Sequence, residues 1–139
     1  MSDARALVAV FDSPVAGHLL RFAATLDFRV ALAEPGLDGI AIDADTDIVV
    51  CDHDRPELGP VLREALRTPA RWIGVMGSPR HAGPHVEALR SLGVEEADIA
   101  RVHRPIGLNI GSRTPAEIAL ATLAGLVADR NDRPGGFAF

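Results

Sequence analysis

The residues best suited to chemistry sit in two places. Cys51-Asp52-His53-Asp54 follows an apolar run, Asp47–Cys51 (DIVVC). Asp52, His53 and Asp54 together offer a base, a proton shuttle or hard ligands. If the run is a buried strand, these side chains emerge at its carboxyl end, where ligands bind in α/β proteins. The plainer alternative is a loop in which Asp54 caps a helix starting at Pro56. Cys51 is the single cysteine. It reads as a small buried hydrophobe, and a lone cysteine fits a reducing compartment.

The second place is Arg104–Pro115, which gathers Gly107, Gly111, Asn109, Arg104, Arg113 and the helix start Thr114-Pro115. Such a loop can wrap a polar or anionic ligand in backbone donors, or serve as an ordered connection. Thr114 and Glu117 have capping-box spacing. Ser13-Pro14 and Ser78-Pro79 repeat the hydroxyl-proline pattern of a helix start. All three read either as simple caps or as helix ends that attract anions. Gly74, Gly77 and Ser78 close another apolar run, where glycine lets backbone N–H groups face a ligand. Arg80 lies just beyond. His81 and His85 stand four apart, but Gly83-Pro84 lies between them and speaks against a helical metal pair. No metal site is expected.

A dinucleotide fold wants G-x-G-x-x-G at its first strand-to-helix turn. Here that turn reads Asp12-Ser13-Pro14-Val15-Ala16-Gly17. Only the third glycine is present, and a carboxylate stands where a pyrophosphate would approach. Glu34 has the position of a ribose-binding acid, but NAD(P) binding is disfavoured on these residues.

The elements that must position these residues alternate. Short apolar runs at Ala6–Phe11, Arg29–Ala33, Asp47–Cys51 and Arg71–Met76 read as strands. Helical faces appear over Val15–Leu26, about Pro56–Arg67, a stretch ending at Leu92 before Gly93, and Thr114–Arg130. The helix before Leu92 can begin as late as Pro84. Glu95–Arg101 reads as a short helical turn. Residues 34–45 are too few for a full helical crossover, so a loop, a stub or a small strand at Gly39–Ile42 is expected. Fully apolar strands alternating with helices predict an α/β, Rossmann-like three-layer domain with a mostly parallel sheet, abbreviated in its first half. One domain over residues 1–130 and a flexible tail over 131–139 fit the length of 139 residues.

The net charge of −5 and the absence of tyrosine argue against nucleic acid or an anionic membrane as partner. No apolar run approaches the roughly 18 residues of a membrane span, and the first residues do not resemble a signal sequence. A cytoplasmic location is expected. Ala116–Ala128 carries only Glu117 as a charge and is apolar on nearly every side. Such a helix must be covered on both sides, one by the sheet and the other by a twin subunit in a homodimer.

The segment PIGLNIGSRTPAEIALATLAGLVA (105–128) resembles the signature of the C-terminal Rossmann domain of the XdhC/CoxI family. That family shows P-I-G-L-D-I-G-A/S-R-T-P-x-E-I-A here, and Asn109 replaces its aspartate. WIGVMGSPRHAGPH (72–85) and the stretch through RVHRPIG are similar to the family's Y-I-G-L-x-G-S-R-R…L-x-R-I-H-x-P-I-G, with Pro79 in place of an arginine. VVCDHD (49–54) is similar to V-V-x-T-H-D. The likeness spans roughly residues 47–130.

It implies an accessory protein, not a metabolic enzyme. Such a protein binds molybdenum cofactor (molybdopterin) and helps deliver it to a molybdenum hydroxylase such as xanthine dehydrogenase or carbon monoxide dehydrogenase. Carried over by position, the site residues are Asp52, His53, Asp54, Gly77, Ser78, Arg80, Gly107, Asn109, Gly111, Arg113 and Thr114. The family's separate N-terminal domain, with its cysteine motif, has no counterpart in this sequence. The expected partners are therefore the apoenzyme or a separate XdhC/CoxI-type chain. Two other readings stand beside this one: an NAD(P)-binding oxidoreductase, and a dimeric interaction module without a ligand.

Overall fold

A computed structural model describes residues 5–77 and 83–139. Five strands form one parallel sheet: β1 (Ala6–Val10), β2 (Arg29–Ala33), β3 (Thr46–Val50), β4 (Trp72–Val75) and β5 (Val102–His103), in the order β2-β1-β3-β4-β5. β1 and β3 are buried along their whole length because helices cover both of their faces. Helices α1 (Pro14–Thr25) and α5 (Pro115–Arg130) pack together on one face. Their core includes Leu7, Ala9, Leu19, Phe28, Val49 and Leu126. Helices α2 (Leu58–Leu66) and α3 (Pro84–Ser91) cover the other face over Val8, Val10, Ile48, Val50 and Val75. A short α4 (Glu96–Ile99) leads into β5.

The three-layer parallel fold expected from the sequence is the one observed. β5 is an addition, since two residues carry no readable periodicity. The abbreviation in the first half is also there. Residues 34–45 cross over β1 as a loop, and Leu37, Ile40 and Ile42 take the place of a helix against the core. Ser13 caps α1, its hydroxyl accepting from Ala16 N at 3.1 Å. Thr114 caps α5 in the same way, accepting from Glu117 N at 3.1 Å. The Glu117 carboxylate reaches back one residue further than a capping box requires and accepts from Arg113 N at 2.9 Å. Ser78 lies outside the described residues, and α3 starts at Pro84.

The apolar surface of α5 is largely covered by its own chain. Ala121 and Thr122 are buried beneath the loop after β5, where Leu108 N donates to Ala121 O at 3.0 Å. Leu120 stays 54% exposed. Beyond α5 the chain turns back: Arg133 N donates to Ala128 O at 2.8 Å, and Gly135 rests against Leu108. Phe137 and Phe139 project into solvent.

The candidate ligand cleft

Strand order reverses between β1 and β3, and parallel sheets bind ligands outside the strand ends at such a point. A cleft of about 870 Å³ lies beside that point, outside the ends of β3 and β4. Three loops and two helices build it. Cys51, Asp52 and His53 come from the end of β3, and Met76 and Gly77 from the end of β4. The Pro105–Ser112 loop forms one wall, and Val15 of α1 with Ile118, Ala121 and Thr122 of α5 complete the lining.

Glycines let this wall sit where it does. Gly107 has φ +90°, and a Cβ there would come within 3.1 Å of Thr122 N. Gly125 on α5 faces it: a Cβ would lie 3.3 Å from the Gly107 Cα. The loop therefore lies directly on the helix backbone, and a side chain at either position would push the two apart by a few tenths of an ångström. Gly74 is equally constrained, since Trp72 and Ile106 occupy the space of its missing side chain.

Of the site residues expected from sequence, Asp52, His53, Gly77, Gly107, Asn109 and Gly111 line this one cleft. Asp54 is near but exposed, and its backbone N–H donates to Asp52 Oδ1 at 2.9 Å. It does not cap α2, whose N-cap residue is Glu57. Arg113 and Thr114 are exposed and outside the lining. Ser78, Arg80 and His81 lie outside the described residues.

The polar groups of the cleft have defined roles. His53 Nδ1 is 3.2 Å from Met76 O. A carbonyl only accepts, so Nδ1 carries a proton, and in the neutral form of the ring Nε2 is the acceptor. Nε2 is 3.8 Å from an Asp54 carboxylate oxygen, beyond hydrogen-bond reach. Burial, together with the charge of Asp52, pushes the Cys51 thiol up to about 12. It is protonated at neutral pH and is no nucleophile. Its Sγ donates weakly to Val49 O at 3.6 Å.

The first turn is closed in a way the sequence did not foretell. Phe11 is fully buried with φ 77°, so a phenylalanine makes the left-handed turn that glycine usually makes. Glu34 does not stand free for a ribose. Its Oε2 accepts from Asp12 N at 2.7 Å, and Arg55 donates to both of its oxygens, at 2.6 and 3.2 Å. Those hydrogen bonds, with Arg55 first, hold the Glu34 carboxyl below its ordinary value. Arg55 also stacks 4.3 Å over the Phe11 ring. A carboxylate from within the chain thus occupies the backbone donor that a pyrophosphate would use.

Two other clusters escaped the sequence reading. Asp47, 0% exposed, pairs with Arg71 at 2.7 Å and Arg130 at 2.9 Å, and Arg71 also holds Asp129 at 2.7 Å. The signal was a carboxylate inside an otherwise apolar strand, which demands a partner when buried. On the α3 side of β4, the guanidinium of Arg104 packs on Gly77, and buried His85 sits beside Gly83. Burial and the Arg104 charge hold the His85 ring below its ordinary value.

The chain is similar to known proteins. The family model for the XdhC Rossmann domain matches residues 7–126. The uncharacterized protein YqeB of Escherichia coli (strain K12) is 38% identical over 89 residues, which is 64% of this chain and 16% of that one. The molybdenum cofactor insertion chaperone PaoD of the same organism is 27% identical over 96 residues, 69% of this chain and 30% of that one. The matched stretch is thus under a third of either relative's length. A crystal structure of a xanthine dehydrogenase from Bacillus halodurans superposes with a TM-score of 0.72 at 21% identity, covering 93% of this chain and 45% of that one. That likeness is one of fold. The match over nearly the whole sheet and all the main helices places this chain in the XdhC Rossmann-domain family.

Proposed function

We propose that this chain is an accessory protein in the maturation of a molybdenum hydroxylase of the xanthine dehydrogenase type, with molybdenum cofactor as its cargo in the cleft after β3, β4 and β5. The observation that carries this reading is the convergence of the family's motifs on one cavity. Six of the residues carried over by resemblance line it, although they come from three separate loops. Its volume of about 870 Å³ falls in the range of small-molecule sites. A relative named as a molybdenum cofactor insertion chaperone aligns over 69% of the chain.

Asp52, His53 and Asn109 would meet the polar edge of the cargo, and Gly107 and Gly111 would bring backbone close to it. Protonated Cys51 offers no ready thiolate, which suits holding a cofactor more than reacting with it. Partners in this reading are the hydroxylase apoenzyme or a separate XdhC/CoxI-type chain, in the cytoplasm. A second copy of this chain would meet the exposed Leu120 side of α5. The dinucleotide alternative is weakened by Glu34, which already holds the Asp12 N–H.

Equilibrium binding of purified molybdenum cofactor tests the proposal, alone and with the apoenzyme added. Saturable binding is expected. Its absence under both conditions overturns the reading. A rise in melting temperature with NAD(P), and none with the cofactor, would turn the assignment to the dinucleotide.

A further inference from the structure

The side-chain hydrogen-bond chemistry of the cleft is unbalanced. Thr122 spends its hydroxyl proton on Ile118 O at 2.9 Å. Cys51 directs its thiol proton to Val49 O, and His53 directs its Nδ1 proton to Met76 O. What these groups leave toward a ligand is lone pairs. Asp52 adds a carboxylate whose Oδ1 already takes the Asp54 N–H, leaving Oδ2 and one lone pair of Oδ1. Asn109 and Ser112 can act either way.

Among the described residues no lysine or arginine lines the cleft. Arg55 is engaged with Glu34, and Arg104 packs against Gly77 without joining the lining. The remaining surface is apolar, with Val15, Met76, Ile106, Ile110 and Ile118. A phosphate placed here would meet a carboxylate in surroundings that weaken its hydration. A flat ring bringing N–H donors would satisfy the acceptors and bury its faces on the isoleucines.

We infer that the cleft takes the uncharged heterocyclic end of its ligand, an aromatic ring whose edge carries adjacent N–H and NH2 donors, and that Asp52 reads that edge. This rests on the cleft being the ligand site, as proposed above. Pterins and guanine share such an edge. The anionic end of a larger ligand then lies outside the described lining.

Asp52→Asn isolates the claim. The amide keeps an oxygen to accept from Asp54 N–H and replaces the other acceptor by a donor. Titrations of the full chain and of this variant would use five probes: pterin, its 2-oxo analogue lumazine, guanosine, inorganic pyrophosphate and purified molybdenum cofactor. Binding is read by ring fluorescence or equilibrium dialysis, with a melting curve for each protein.

Saturable pterin binding is expected. It should weaken roughly tenfold or more in D52N at an unchanged melting temperature, because a donor edge loses its acceptor. The preference for pterin over lumazine should shrink in the variant. Guanosine binding with the same D52N loss extends the ligand class to purines, and its absence narrows the class to pterins. Equal pterin affinity in the two proteins overturns the inference. Molybdenum cofactor or pyrophosphate binding without any pterin binding overturns it too, and leaves the accessory role standing. If neither ring nor cofactor nor pyrophosphate binds, the cleft itself is misassigned and both readings fall.

Discussion

At the edge where the strands begin, Asp47 is sealed between Arg71 and Arg130, and Asp129 closes the network from the end of α5. Arg130 also donates to Asp45 O at 2.6 Å and lies 5.2 Å from the centre of the Phe28 ring. At the edge where the strands end, loops rest on glycines, and acceptors face open space. Opposite charges are paired for cohesion at one edge, while at the other, among the described residues, the lining carries the Asp52 carboxylate and no arginine or lysine. A parallel sheet has these two ends because its strands share one direction, and only the carboxyl end gathers the loops that can converge on a ligand.

Breaking the first edge should have the largest effect. Asp47→Ala leaves two guanidiniums facing a buried void, and loss of one partner from a buried ion pair costs about 3–5 kcal/mol. Urea unfolding should show that loss, while the variant, where folded, should bind cleft ligands as the parent does. A fall in affinity as large as the fall in stability would mean that the two edges are not separable. Gly107→Ala attacks the other edge. It combines φ +90° with a Cβ 3.1 Å from Thr122 N, and strain of this kind costs about 2 kcal/mol. Affinity should drop more here than in Asp47→Ala, although stability drops less. The reverse order would remove the loop from the site.

The smallest expected effect concerns pH. The folded value of His85 lies below its ordinary one, so the unfolded chain binds more protons in the interval between them. Stability is then full above the ordinary histidine value and declines as pH falls through that interval. Comparing unfolding at about pH 7.5 and about pH 5.5, His85→Leu should reduce the acid loss seen in the parent. An unchanged slope would assign the acid sensitivity to other groups.

Much of this was legible in the chain. The strands before Phe11, before Cys51 and before Met76 announced themselves by short apolar runs, the second of them interrupted by Asp47, and Ser13 and Thr114 marked two helix starts correctly. Asp52, His53 and the Pro105–Ser112 loop, singled out because they follow strand ends, do line one cleft, and Cys51, read as a buried hydrophobe, lines it too. Other features depended on distances in space. Glu34 and Arg55 are 21 residues apart, and nothing local foretells that they meet over Phe11. Arg130 reaches Asp47 across 83 residues. Arg113 was expected at the ligand because it lies in the Arg104–Pro115 loop and is carried over by the family resemblance. The backbone there turns its N–H to Glu117 and leaves the side chain outside the cleft. The apolar character of the cleft was present in the alternating isoleucines of PIGLNIG, but alternation alone does not say which of them face a cavity.

Helix α5 joins the two ends of the molecule. It has 16 residues, so its axis is roughly 24 Å long. Ile118 and Thr122 border the cleft near its start, while Arg130 at its finish is locked by the Asp47 pair. Between those points Ala119, Leu123 and Leu126 seat it in the core beside α1. The spacing between the two edges is therefore set by one continuous backbone and not by a flexible connection.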